Sequence, residues 1–95
     1  HIVMVIYDRK SEDSKRRATA MMKELISEGA KLGMGEYRTH IAFQDQVMKT
    51  YSYNDGALLK FHDQIKDTLD PNGIMAPGRN GIWGSRWRGT GLERT

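Results

Sequence analysis

The run Ile2-Val3-Met4-Val5-Ile6-Tyr7 constrains this chain more than any other stretch. It is continuously apolar and rich in β-branched residues, the pattern of a strand covered on both faces rather than one. It begins at residue two, with no turn before it and no partner strand in view. The run therefore reads as the middle of a sheet whose other strands are missing. The chain is expected to be the C-terminal end of something longer, or one piece of it.

Asp8-Arg9-Lys10 closes the run, and Ser11 suits a helix N-cap, with Glu12 and Asp13 at the positive end of the helix dipole. Ala18, Met21, Met22, Leu25 and Ile26 recur at helical spacing as one apolar stripe, and most of the charges lie elsewhere. Gly29, Gly33 and Gly35 mark the exit. Strand followed by helix predicts an α+β fold. Glu36 to His40 is a short strand or extended loop. Phe43, Val47 and Tyr51 share a helical face, and Asn54 is the expected N-cap of a further helix with a buried stripe of Ala57, Leu58, Phe61, Ile65 and Leu69. Asp70-Pro71-Asn72-Gly73 stops that helix. Beyond Ile74 there is no periodicity, and Ser85 to Thr95, rich in arginine and glycine, reads as a surface tail. No internal repeat is present.

A chain of 95 residues with no cysteine allows one small domain without disulfide support. No apolar run approaches the ~20 residues of a membrane helix. The apolar start lacks the basic lead of a signal peptide, so the expected location is the cytoplasm, with no membrane partner. The net charge of +3 is modest for a nucleic-acid binder, and acidic residues are interspersed.

Two stretches could carry chemistry. Tyr37 and Arg38 place a phenol donor beside a guanidinium, a pair able to stabilise an oxyanion. The plain alternative is a strand with one side chain inward and one in water. Pro77-Gly78-Arg79-Asn80-Gly81 offers backbone free of bulk and a cation, which suits a flat anionic ligand; the alternative is a solvated turn. His1, His40 and His62 lack metal-ligand spacing, so no metal is expected; His62 reads as solvent-facing and the 6 methionines as core filler. Arg79, Arg86, Arg88 and Arg94, with Trp83 and Trp87 among them, suggest base stacking and phosphate contacts. The rival to an enzyme is thus a stand-alone basic α/β module binding single-stranded nucleic acid.

In their order and separation, Gly35-Glu36-Tyr37-Arg38-Thr39-His40, Phe43-Gln44-Asp45-Gln46, Tyr51 and Asp70-Pro71-Asn72-Gly73-Ile74-Met75-Ala76-Pro77-Gly78-Arg79-Asn80-Gly81-Ile82 resemble a known family. They are similar to the C-terminal end of the flavin-dependent 4-phenol oxidases, the family of vanillyl-alcohol oxidase, eugenol oxidase and the 4-cresol dehydrogenase flavoprotein. The resemblance implies a two-domain FAD enzyme. Residues 1–34 would end its α+β cap, or substrate, domain, and residues 35–95 would supply the C-terminal helices and loops of its FAD-binding domain. It implies oxidation of para-substituted phenols by hydride transfer from the benzylic carbon to flavin N5, through a quinone methide, with dioxygen as acceptor. Tyr37 and Arg38 would be catalytic, holding the phenolate with a second tyrosine from the missing N-terminal half. Arg38, Pro77, Gly78, Arg79 and Asn80 would meet the FAD. The N-terminal FAD-binding and cap segments would be required partners, the chain would not be competent alone, relatives form oligomers, and nucleic acid would have no part.

Overall fold

The computed structural model describes residues 1–92. The chain forms two compact units, His1–Met34 and Gly35–Thr95.

The first unit is built on helix α1, Glu12–Lys31. Ser11 holds an extended backbone (φ −104°, ψ 115°), and its side chain accepts from the Ser14 N–H at 3.2 Å, as an N-cap should. Ser14 Oγ reaches back to accept from the Asp8 N–H at 3.0 Å, so entry and first turn are tied reciprocally. Exposed ion pairs one turn apart line the helix, among them Glu12–Lys15 at 2.7 Å and Glu28–Lys31 at 2.6 Å. Pairs of this kind contribute only about 0.3–0.5 kcal/mol each. The exit is a Schellman motif. The Met34 N–H reaches Gly29 O at 2.9 Å, the Gly33 N–H reaches Ala30 O at 3.0 Å, and Gly33 takes the left-handed conformation (φ 79°).

Three expectations are not met among the described residues. Ile2–Tyr7 forms no strand, and no strand occurs among the described residues. Ile2 and Ile6 are 91% and 92% exposed. A strand exists by pairing its backbone with another, and this run has no ladder partner. The described chain is therefore helical, and the strand of the α+β reading is not formed. The apolar stripe of α1 likewise finds little to cover it: only Ile26 is buried, while Met21 and Leu25 are exposed. Met4, Met34 and Met75 are exposed too, so the methionines are not uniformly core filler.

The second unit begins with a 3-10 turn, Ile41–Phe43, entered through His40, whose Nδ1 accepts from the Ala42 N–H at 3.1 Å. It runs into α2, Gln44–Thr50. Phe43 and Val47 are buried, on the face expected for them. The Tyr51 hydroxyl donates to the Glu36 carbonyl at 2.9 Å, which pins the segment before the turn. Helix α3, Tyr53–Leu69, opens with Asn54, Asp55 and Gly56 all left-handed (φ 50°, 57° and 72°). Asn54 is thus part of a turn rather than the N-cap: its short polar side chain tolerates that conformation, whereas a cap residue is extended.

The stripe Ala57, Leu58, Phe61, Ile65, Leu69 is not buried. Helix α3 instead packs with its charged side. Asp63, Lys66, Asp67 and the C-cap Asp70 hold the rest of the unit, and Phe61, Ile65 and Leu69 face outward. The described part of the segment expected to be a surface tail, residues 85–92, is correspondingly tied down. The Ser85 N–H donates to Asp67 Oδ1 at 3.2 Å, and Arg88 pairs with Asp63 at 3.2 Å and with Asp67. The Trp87 indole N–H donates to Gly73 O at 2.8 Å. This segment is a strap across α3. Arg94 lies outside the described residues.

Candidate functional site: a cleft between the start of α2 and the proline-glycine loop

Helix α3 ends at Asp70, and Pro71-Asn72-Gly73 turns the chain, with the Gly73 N–H on Asp70 O at 3.0 Å and Gly73 left-handed (φ 63°). The Asp70 carboxylate then caps the chain beyond the turn, accepting from the Ile74 and Met75 N–H groups at 3.0 Å each. Lys66 Nζ stands 2.7 Å from Asp70 Oδ2 and also donates to Met75 O. Lys66, foremost, and the two backbone donors hold the Asp70 carboxyl below the usual carboxylate range.

Ala76 and Gly78 both take positive φ (38° and 78°), and the Gly78 N–H closes onto Ile82 O at 3.1 Å. A Cβ at Gly78 would run into the Trp83 indole; one at Gly81 (φ 74°) would stand 2.7 Å from Met48 Cβ and 3.0 Å from Gln44 O. Both positions require glycine on space and on φ. Buried polar groups of α2 tie the loop down. Gln44 Oε1 accepts from the Asn80 N–H at 3.1 Å, and Asp45 Oδ1 accepts from the Trp83 indole N–H at 2.7 Å. Gln44 and Asp45 are 7% and 5% exposed, so these bonds satisfy groups that burial would otherwise penalise.

Between α2 and this loop lies a cleft of about 350 Å³, lined by Ile41, Gln44, Asp45, Pro77, Gly78 and Arg79 among others. Pro77, Gly78 and Arg79 are therefore brought together on one wall. Asn80 is adjacent, with its backbone held by Gln44. Tyr37 and Arg38 do not line the cleft. Tyr37 is 89% exposed, and the Arg38 guanidinium lies 5.6 Å from its ring centroid, a cation–π contact and not the opposite facing of the plain strand alternative. Beside them Glu36 is half-buried, and burial pushes its carboxyl up, partly opposed by Thr39. His62, expected to face solvent, is half-buried, with its Nδ1 out of contact with water.

The anchoring residues Gln44, Asp45, Lys66 and Asp70 lie outside the set that the sequence pointed to. Asp70 does carry a signal, a carboxylate just ahead of a proline-glycine stop. For Gln44 and Asp45 the Phe43-Gln44-Asp45-Gln46 motif is the sole hint, since a polar pair opening a helix reads as solvated.

Residues 1–80 match the family model described as FAD linked oxidases, C-terminal domain. The chain belongs to the FAD-linked oxidases. It is 40% identical over 82 residues to the 4-cresol dehydrogenase [hydroxylating] flavoprotein subunit of Pseudomonas putida, covering 86% of this chain and 15% of that protein. The structure of 4-ethylphenol oxidase from Gulosibacter chungangensis, in its isoeugenol complex, superposes with a TM-score of 0.81 at 46% identity, covering 86% of this chain and 16% of that one. The chain thus spans under a fifth of the length of either relative.

FAD is the cofactor of the family. The Trp83 indole fills the side-chain face of Gly78, and the exposed Arg79 guanidinium has no ion pair among the described residues. Small residues beside a cation suit a flat, electron-rich or anionic group. At about 350 Å³ the cleft has room for one portion of a dinucleotide and not for the whole. No cluster of residues suited to a metal occurs among the described residues, and no helix there is long and apolar enough to cross a membrane. The nucleic-acid reading gains no support. Both indole N–H groups are committed within the unit and Arg88 is clamped by carboxylates.

Proposed function

We propose that this chain is the C-terminal portion of an FAD-dependent enzyme that oxidises para-substituted phenols. One observation carries the reading: at 40% and 46% identity, both relatives bear the names of 4-alkylphenol-oxidising enzymes. On this reading residues 1–34 end the substrate domain and residues 35–95 belong to the FAD-binding domain. Tyr37 and Arg38 bind the substrate as phenolate. A free phenol ionises near pH ~10, so turnover near neutrality needs its anion favoured. A guanidinium and a directed hydroxyl supply this, and they act more strongly where water is excluded. The phenolate oxygen directs electron density to the para position, so the benzylic carbon gives up hydride and the substrate becomes a quinone methide. FAD, when bound, supplies the two-electron acceptor at N5, with dioxygen as the terminal oxidant. Arg79, with Pro77, Gly78 and Asn80, faces the cofactor.

The test is the visible spectrum of the complete enzyme before and after anaerobic addition of a 4-alkylphenol. Bleaching of an oxidised-flavin spectrum is the expected result. A flavin that stays oxidised would remove the substrate class and keep the cofactor.

A further inference from the structure

A helix stop needs only Pro71 and Gly73. The carboxylate that precedes them is not required for stopping, yet Asp70 is 7% exposed and both its oxygens are engaged. Lys66, 14% exposed, is drawn in with it and ties to the same two-residue stretch through Met75 O. Burying an ion pair is a poor route to stability for its own sake, because desolvation offsets much of the attraction. What this pair does geometrically is fix Ile74 and Met75 to the end of α3, immediately before the reversal at Ala76 that aims Pro77, Gly78 and Arg79 at the cleft. The Trp87 bond to Gly73 O holds the upstream side, and the Gly78 bond to Ile82 O the downstream side. The Lys66–Asp70 pair holds the stretch between them.

We propose that Asp70, buttressed by Lys66, is a positioning residue: it sets the register of the loop that presents Pro77, Gly78 and Arg79 to the cofactor. This rests on the reading of the cleft as a cofactor-facing wall.

The experiment uses the complete FAD-loaded enzyme with Asp70→Asn, Lys66→Gln and Arg79→Met variants. It measures amide hydrogen exchange, the FAD dissociation constant and the visible flavin band. Asp70→Asn keeps the shape but leaves one oxygen to accept and no charge for Lys66. Exchange at Ile74 and Met75 should rise roughly tenfold, the value of about one hydrogen bond, and FAD binding should weaken by a similar factor. The flavin band should shift, and α1 amides should exchange as in the parent enzyme. Lys66→Gln leaves the two amide bonds in place, should give a smaller change in the same direction, and decides the matter if Asp70→Asn does not fold. FAD affinity and flavin band unchanged in these variants, with Arg79→Met weakening FAD, would overturn the latch and leave the cleft reading standing. FAD binding unchanged in Arg79→Met would remove the cleft reading itself.

Discussion

Arg38 stacks on Tyr37, and both side chains are exposed, so neither is spent on the chain's own packing. The pair is free to act on a ligand. If they hold a phenolate, each lowers the apparent pKa of the bound phenol, and removing either raises it. Tyr37→Phe should therefore move the pH profile of substrate binding upward; an identical profile would end the role. Arg38→Ala should weaken phenolate-type inhibitors and slow flavin reduction together, by roughly tenfold or more for a lost charge-assisted bond. Unchanged stopped-flow reduction would exclude it. The adjacency of the two residues was legible in the sequence, and so was the chemistry available to it. Their stacking was not, because neither a short strand nor an extended loop fixes how adjacent side chains turn toward each other.

Helix α3 shows where periodicity misleads. Its apolar residues recur at the right spacing, but the spacing says only that they share a side, not which side the rest of the unit covers. Here the acids and Lys66 take that place. They grip a loop and a strap whose donors are backbone N–H groups and Arg88, and none of these could be inferred from α3 alone. The Ser11 cap, the stop at Asp70 and the face of Phe43 and Val47 were all readable, since each depends on neighbours in sequence. The grip makes a pH prediction. The Asp70 carboxyl is lowered in the folded chain, so its contribution is fully present above the ordinary carboxylate value near ~3.9 and is lost as pH falls through the lower folded value. Ile74 and Met75 should keep amide protection down to about that ordinary value and lose it at more acid pH. Loss of protection closer to neutrality would contradict the assignment. Arg88, pushed up chiefly by Asp67, stays charged throughout.

Across the molecule, the strand of the α+β expectation could not form, because a strand's existence depends on a partner rather than on its own residues. Ile2 and Ile6 are left open for that reason, and Phe61 and Leu69 for want of anything packed on them. Exposed apolar area on this scale is an association surface. The 95-residue chain by itself should bind a hydrophobic dye and self-associate, as read by fluorescence and sedimentation, and the complete enzyme should do neither to the same degree. A monomeric, dye-silent chain would show that these side chains are covered within the chain.

The docking of α3 by its charged side sets its response to ionic strength. Added salt screens the half-exposed Arg88–Asp67 pair and loosens the strap, while leaving the buried Lys66–Asp70 pair largely unaffected. Sulfate, being excluded from protein surfaces, also favours the burial of the exposed Phe61, Ile65 and Leu69 on the other side by association. Chloride and sulfate at equal ionic strength should therefore part company on this one helix, both relaxing its inner side and only sulfate tightening its outer one.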